Sequence, residues 1–162
     1  MTTIAYRDGV MVGDTLAVWG SEKNFGFTKL ARTQNALVGF CGAYTHVMPM
    51  YKWIVECEKA GLKPMEFFDA NESLVLPGED IHAVLVGNDR RIWNVFASGS
   101  AVPCGNRQYE ASGSGAAYAL GALAMGATAE QAVQVSSAYD THTGGAPQII
   151  TFDTEPRPPF ST

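Results

Sequence analysis

Thr2 stands directly behind Met1 in this 162-residue chain, and β-prone residues follow it at once. A threonine hydroxyl is a poor nucleophile until a base removes its proton. If Thr2 becomes the first residue, its own α-amine can be that base. A free α-amine titrates at about 7.7–8.0, close to working pH. A blocked amine cannot do this, so the reading requires removal of Met1. The plain alternative is that small residues are common after an initiator methionine, and Thr2 alone does not decide between the two. For a lone lysine such as Lys29 and a lone aspartate such as Asp14, the ordinary reading is a solvated ion pair.

Other chemistries lack their residues. No G-x-x-x-x-G-K-[ST] phosphate loop and no G-x-S-x-G elbow is present. Ser112-Gly-Ser-Gly115 lacks the third glycine of a dinucleotide loop. His46, His82 and His142 are scattered, and Cys41, Cys57 and Cys104 have no paired spacing, so neither a zinc site nor a disulfide framework is expected. No cofactor is implied. Cys41 reads as core and His142 as a loop residue.

The elements that would position Thr2 are legible from local pattern. Asp8-Gly9 between two β-prone runs, residues 3–6 and 10–13, predicts a hairpin. A second is expected over 26–41, with arms 27–31 and 37–41, and a third over 82–96. Val47, Met50, Tyr51, Ile54 and Val55 recur at helical spacing and predict an amphipathic helix over 46–60, stopped by Gly61. Residues 115–125 are apolar on most faces, which predicts a helix buried between layers. Thr128-Ala-Glu-Gln131 is a capping box opening a helix to about residue 139, with Ala132, Val133 and Val135 on its apolar side. A last strand is expected at 148–152. Residues 63–68 allow one or two helical turns, followed by a loop from Asp69 to Ser73. Strands grouped apart from helices indicate an α+β fold in one domain, 1–162.

Composition narrows the partners. Charged residues are only 17% of the chain, against about 25% in an average protein. Such a surface fits a protein that hides part of itself in an assembly. Net charge is −5 with no basic stripe, which argues against nucleic acid and anionic membranes. No apolar run reaches the ~18 residues of a membrane span. The start has no basic and apolar leader, and a reducing cytoplasm is the expected location.

Motifs in order along the chain carry a resemblance. Thr2-Thr-Ile resembles the mature start of HslV and proteasome β subunits. Gly13-Asp14, the Lys29 of Thr28-Lys-Leu-Ala-Arg32, and Gly39-Phe-Cys-Gly42 follow in their order. Ser112-Gly-Ser-Gly115 resembles the Gly-Ser-Gly that opens a helix there, and Asp140-Thr-His-Thr-Gly-Gly145 matches D-x-x-[ST]-G-G. The matches run from residue 2 to about 152; residues 62–80 and the tail lie outside them. Short HslV-like proteins of bacterial and phage genomes are the nearest in kind.

The resemblance implies an Ntn-hydrolase four-layer αββα sandwich of two antiparallel sheets. It implies a threonine-type endopeptidase subunit of a self-compartmentalised ring, acting on protein or peptide substrates, with an AAA+ unfoldase as a possible partner. Thr2 would be the nucleophile. Lys29 would place positive charge beside it, and Asp14 would hold Lys29. The Gly42 N–H would donate to the oxyanion, unless Gly42 serves only a strand-to-helix bend. Ser114, Asp140 and Thr143 would cluster around the Thr2 amine, unless Ser114 merely caps a helix and Asp140-to-Gly145 is merely a turn. Phe40, Tyr44 and Met48 could line a specificity pocket or be core. The family's second long helix is nearly missing here, which bears on ring size. Two other functions are weighed: an inactive or structural ring subunit, which would carry an extension before the first strand, and an Ntn amidase acting on a small amide, which would start with Cys or Ser.

Overall fold

The computed structural model describes residues 2–69 and 81–161. Met1 and the loop expected after residue 69 lie outside the described residues. The strands are β1 Thr3–Arg7, β2 Val10–Gly13, β3 Ala17–Trp19, β4 Glu22–Asn24, β5 Leu30–Arg32, β6 Ala36–Gly42, β7 Ile81–Gly87, β8 Ile92–Phe96, β9 Ala101–Pro103, β10 Tyr109–Gly113 and β11 Gln148–Thr151. The helices are α1 Tyr44–Lys59, α2 Ala116–Ala124 and α3 Ala129–Tyr139, and a 3₁₀ segment covers Pro64–Asp69.

Two antiparallel sheets stack face to face. One has the order β10-β1-β2-β11 and the other β5-β6-β7-β8-β9, with β3-β4 as a separate hairpin. Alternation along the strands fills three apolar layers. Ile4, Tyr6, Met11 and Ile150 face inward and meet Leu30, Leu37, Val84 and Val86 of the other sheet. Ala5, Val12 and Ala111 face outward, where Ala119, Leu123, Ala132 and Val133 of α2 and α3 cover them. Val38, Phe40, Ala83 and Leu85 face the other way, under Val47, Met50, Ile54 and Cys57 of α1. The result is the four-layer αββα sandwich expected from the sequence.

Local signals account for the frame. Asp8 and Gly9 both adopt positive φ, as the two-residue turn between β1 and β2 demands. The Thr128 hydroxyl accepts from the Gln131 N–H, and the Gln131 side chain returns to the Thr128 N–H at 2.9 Å, closing the capping box of α3. The Arg7 guanidinium donates to the Leu123 and Ala127 carbonyls at 2.7 Å, tying the end of β1 to the end of α2.

Several expectations are corrected. Helix α2 is not buried between layers. Only Ala119 and Leu123 are buried, Tyr118 is exposed, and Met125 just beyond the helix is 89% exposed. Small alanines on one stripe suffice to pack the sheet, so the remaining apolar side chains stay outside. On α3 the buried set is Ala129, Ala132, Val133 and Ser136, and Val135 faces solvent. In α1, Cys57 takes the inward place expected of Val55. The first arm of the second hairpin begins only at Leu30. The β3-β4 hairpin and strands β9 and β10 had no sequence signal.

Ile54 is fully buried beneath α1, so Ile54→Ala should lower unfolding free energy by about 2–5 kcal/mol in urea denaturation. Val135→Ala should stay within about 0.5 kcal/mol of the parent in the same measurement.

Candidate functional site

Strand β1 runs between β10 and β2, so Thr2 is delivered to one end of the inter-sheet space. Thr2 is itself buried. Asp14 immediately follows β2, and its carboxylate collects four donors. Oδ1 accepts from the Thr3 N–H at 2.9 Å and from Lys29 Nζ at 2.7 Å. Oδ2 accepts from the Leu16 N–H at 3.2 Å and the Gly144 N–H at 3.1 Å. Lys29, one residue before β5, also donates to the Leu16 carbonyl at 2.7 Å. The side chains of Lys29 and Asp14 are 1% and 0% exposed, so this is no solvated surface pair. Burial pulls the Lys29 ammonium below its ordinary value, and the adjacent Asp14 carboxylate opposes that shift.

The Leu16 carbonyl is a meeting point. The Tyr44 phenol donates to it at 3.3 Å. Tyr44 and Lys29 thus share one backbone oxygen. Burial pushes the Tyr44 hydroxyl up to about 12, with the Asp14 carboxylate adding to it, so Tyr44 stays protonated and remains a donor. Of the three residues considered for a pocket, Tyr44 reaches the site, whereas Phe40 packs into the core under α1.

Gly42 closes β6 at φ 120°, two residues before α1 begins. That backbone conformation is strained for any L side chain. Gly42 stands two residues ahead of the α1 N-terminus, the positive end of that helix's dipole. Gly113 is required for a different reason: a Cβ there would lie 1.8 Å from the Thr2 carbonyl oxygen.

Ser114, Asp140 and Thr143 come together. Ser114 Oγ and Thr143 Oγ1 each donate to Asp140 Oδ2 at 2.6 Å. Thr143 Oγ1 also lies 2.6 Å from Thr3 Oγ1, and Ser114 Oγ lies 3.4 Å from the Thr2 carbonyl oxygen. Ser114 does not cap α2, because the N-cap there is Gly115 and no side chain serves it. Burial would raise the Asp140 carboxyl, but hydrogen bonds from Ser114, Thr143 and the His142 N–H outweigh it, and Asp140 stays ionised below the usual range. His142 is half-exposed, 3.8 Å from Asp140.

The sequence pointed to neither the role of Thr3, which joins both clusters, nor that of Leu16, which acts through its carbonyl and carries no side-chain signal. It also pointed to no link between His82 and Ser112, which hydrogen-bond across the two sheets. Among the described residues no group of three or more His, Cys, Asp or Glu could hold a metal ion, and no helix is long and apolar enough to cross a membrane.

Removing either member of the buried pair leaves an unmatched charge. Lys29→Ala and Asp14→Ala should each destabilise the fold by about 3–5 kcal/mol. The double variant should lose less than the sum, with a coupling of about 0.5–3 kcal/mol in a denaturation cycle.

No protein-family model matches the chain, and no curated protein matches it by sequence. Solved structures do. BPH of Thiobacillus denitrificans in complex with epoxomicin is 20% identical, over 94% of this chain and 99% of that one, with a TM-score of 0.61. A second structure of Thiobacillus denitrificans BPH is 19% identical, over 95% and 99%, with a TM-score of 0.62. Eukaryotic HslV from Trypanosoma brucei is 15% identical, over 92% and 97%, with a TM-score of 0.69. With its two stacked antiparallel sheets and its outer helices, the chain has the Ntn-hydrolase fold, the fold of HslV.

Proposed function

We propose that the chain is a threonine-type endopeptidase subunit of a proteasome-like ring, with Thr2 as nucleophile once Met1 is removed. The observation that carries this reading is the buried Lys29–Asp14 pair, which Asp14 ties to the Thr3 N–H, one residue from Thr2. A cation held beside the hydroxyl favours its ionised form and disfavours a proton on the neighbouring amine.

The reaction follows from the groups present. The free Thr2 amine takes the proton from Thr2 Oγ1 as that oxygen attacks the carbonyl carbon of a peptide bond. The Gly42 N–H donates to the oxyanion that forms. Collapse breaks the C–N bond, and the leaving nitrogen takes the proton from the Thr2 ammonium. Water, deprotonated by the same amine, then hydrolyses the ester and restores the hydroxyl. Asp140, with Ser114 and Thr143, orients the amine, and Asp14 holds Lys29.

Ring assembly is part of the proposal. Tyr118, Met125, Val135 and Tyr139 leave an apolar, charge-poor face on α2 and α3, which fits packing between copies. Protein or peptide substrates, a cytoplasmic location and an AAA+ unfoldase belong to the same reading.

The test is hydrolysis of fluorogenic peptides by protein of measured mass. Chain lacking Met1 should be active and sediment as a multi-subunit ring. Thr2→Ala should remove activity while leaving the chain folded and assembled, with at most a small drop in melting temperature from the lost buried methyl and hydroxyl. Chain retaining Met1 should be silent. Epoxomicin, bound in one of the similar structures, should block the wild type and leave no adduct on Thr2→Ala. Wild-type rates from Thr2→Ala would refute the mechanism.

A further inference from the structure

The segment that follows β11 carries no motif, yet it comes to lie beside Lys29. Strand β5 is the edge of its sheet and has only three residues, Leu30–Arg32. Backbone groups of a strand alternate between its two edges. The Lys29 carbonyl turns to β6, where it accepts from the Phe40 N–H at 3.0 Å. Thr28, Leu30 and Arg32 turn theirs the other way, where the sheet has no further strand. An edge of this kind has to be covered by other means. The Thr28 carbonyl accepts from the Phe160 N–H at 2.9 Å. The Leu30 N–H donates to Gln148 Oε1 at 3.1 Å. Arg32 and Arg157 exchange both backbone hydrogen bonds, at 3.0 and 2.8 Å. The Thr28 hydroxyl adds a bond to the Ser161 carbonyl at 3.0 Å. Residues 157–161 thus run along β5 and grip it at Thr28 and at Arg32, before and after Lys29.

Phe160 holds a φ of 61°, an unfavourable backbone conformation for a bulky side chain. Such a conformation persists only where the surroundings enforce it. Ring packing does so here. Phe160 meets Phe27 edge-on at 6.2 Å between centroids and Tyr44 at 6.3 Å, and those two rings lie 5.6 Å apart. Both neighbours lead to Lys29. Phe27 stands two residues before it, and the Tyr44 phenol shares the Leu16 carbonyl with Lys29 Nζ.

We propose that Phe160 is a positioning residue for Lys29: its ring seats residues 157–161 on the free edge of β5, and this holds the ammonium on Asp14 and the Leu16 carbonyl. The proposal rests on the reading of Thr2 and Lys29 given above. Lys29 Nζ meets both acceptors at 2.7 Å. A flexible four-carbon stem holds two such bonds only if its own backbone is fixed. On one side β6 fixes it. On the other, Thr28 and Arg32 have residues 157–161. Without that cover their backbone groups turn to water, and a three-residue strand with one partner opens locally. The ammonium then follows its backbone away from the geometry that the reaction needs.

Two measurements test this. In the first, the full chain is acetylated with acetic anhydride, and each lysine is followed by mass spectrometry. Lys29 is 1% exposed and should label slowly; Lys59, 68% exposed, is the internal reference. Phe160→Gly removes the ring and accepts the positive φ. It should speed labelling of Lys29 at least about tenfold relative to Lys59, through local opening. Cys57, buried under α1, should stay unreactive to iodoacetamide in the same variant. Phe160→Tyr keeps the ring and should protect Lys29 as the parent does. Thr28→Val keeps the shape and deletes the hydroxyl bond to Ser161, so it should speed Lys29 labelling about threefold. That variant decides the matter if Phe160→Gly does not fold. Unchanged labelling of Lys29, or Lys29 and Cys57 opening together, would overturn the proposal. The second measurement is peptide hydrolysis by chain lacking Met1. Phe160→Gly should lower kcat about tenfold with KM unchanged, and Phe160→Tyr should restore it. A kcat equal to the parent's, or a loss confined to KM, would overturn it. If the parent cleaves no peptide, the proposed function fails, and the labelling still decides whether residues 157–161 hold Lys29.

Discussion

A fully buried carboxylate, Asp14, is the constraint around which this end of the molecule is built. Removing a carboxylate and an ammonium from water is unfavourable by several kcal/mol per ion unless both are closely matched. Here the match involves four segments: the Thr3 N–H of β1, the Leu16 N–H beyond β2, the Lys29 ammonium before β5, and the Gly144 N–H of the loop after α3. No one of these segments can shift without leaving the carboxylate short of a donor. The pair therefore acts on geometry more than on stability, holding the start of β1 against the approach to the second sheet.

The layers explain why the charge is tolerated there. Apolar residues fill the space between the sheets along Ile4, Met11, Leu30, Leu37 and Val84, and a charge within that layer would have no partner. At the strand ends the backbone turns away, so N–H and carbonyl groups are free to bind side chains. Leu16, Gly144 and the Thr2 carbonyl all serve this way. Close approach follows from the same crowding: Gly113 touches the Thr2 carbonyl where no Cβ would fit. A second polar cluster, Ser114, Asp140 and Thr143, reaches the first through Thr3 Oγ1. The two clusters thus meet at Thr3, at the start of β1.

Much of this was legible in the chain because its causes are local. Asp8-Gly9 specifies a turn that needs two positive φ angles, and Thr128 with Gln131 specifies a helix start by reciprocal hydrogen bonds. The spacing of Val47, Met50 and Ile54 specifies the inward face of α1. Thr2, Asp14, Lys29, Gly42, Ser114, Asp140 and Thr143 were named from motifs in order along the chain. Strands β3, β4, β9 and β10 were missed because they are short or lie between polar residues, and their pairing energy comes from neighbours distant in sequence. The apolar face of α2 was misassigned because periodicity shows which residues could be buried and not how much sheet is available to bury them.

The sequence by itself determined the first hairpin turn, the three helices and the capping box of α3, and the set of side chains able to do acid–base work. Those properties depend on a few consecutive residues and the chemistry each carries. Only the tertiary structure decided that Lys29 and Asp14 are buried together, that Tyr44 and Lys29 meet at the Leu16 carbonyl, and that His82 and Ser112 meet across the two sheets. Such contacts join residues up to 140 positions apart, as Thr3 and Thr143 are. They arise from how two twisted sheets stack, and stacking is set by the summed packing of all three apolar layers rather than by any stretch of sequence that can be read alone.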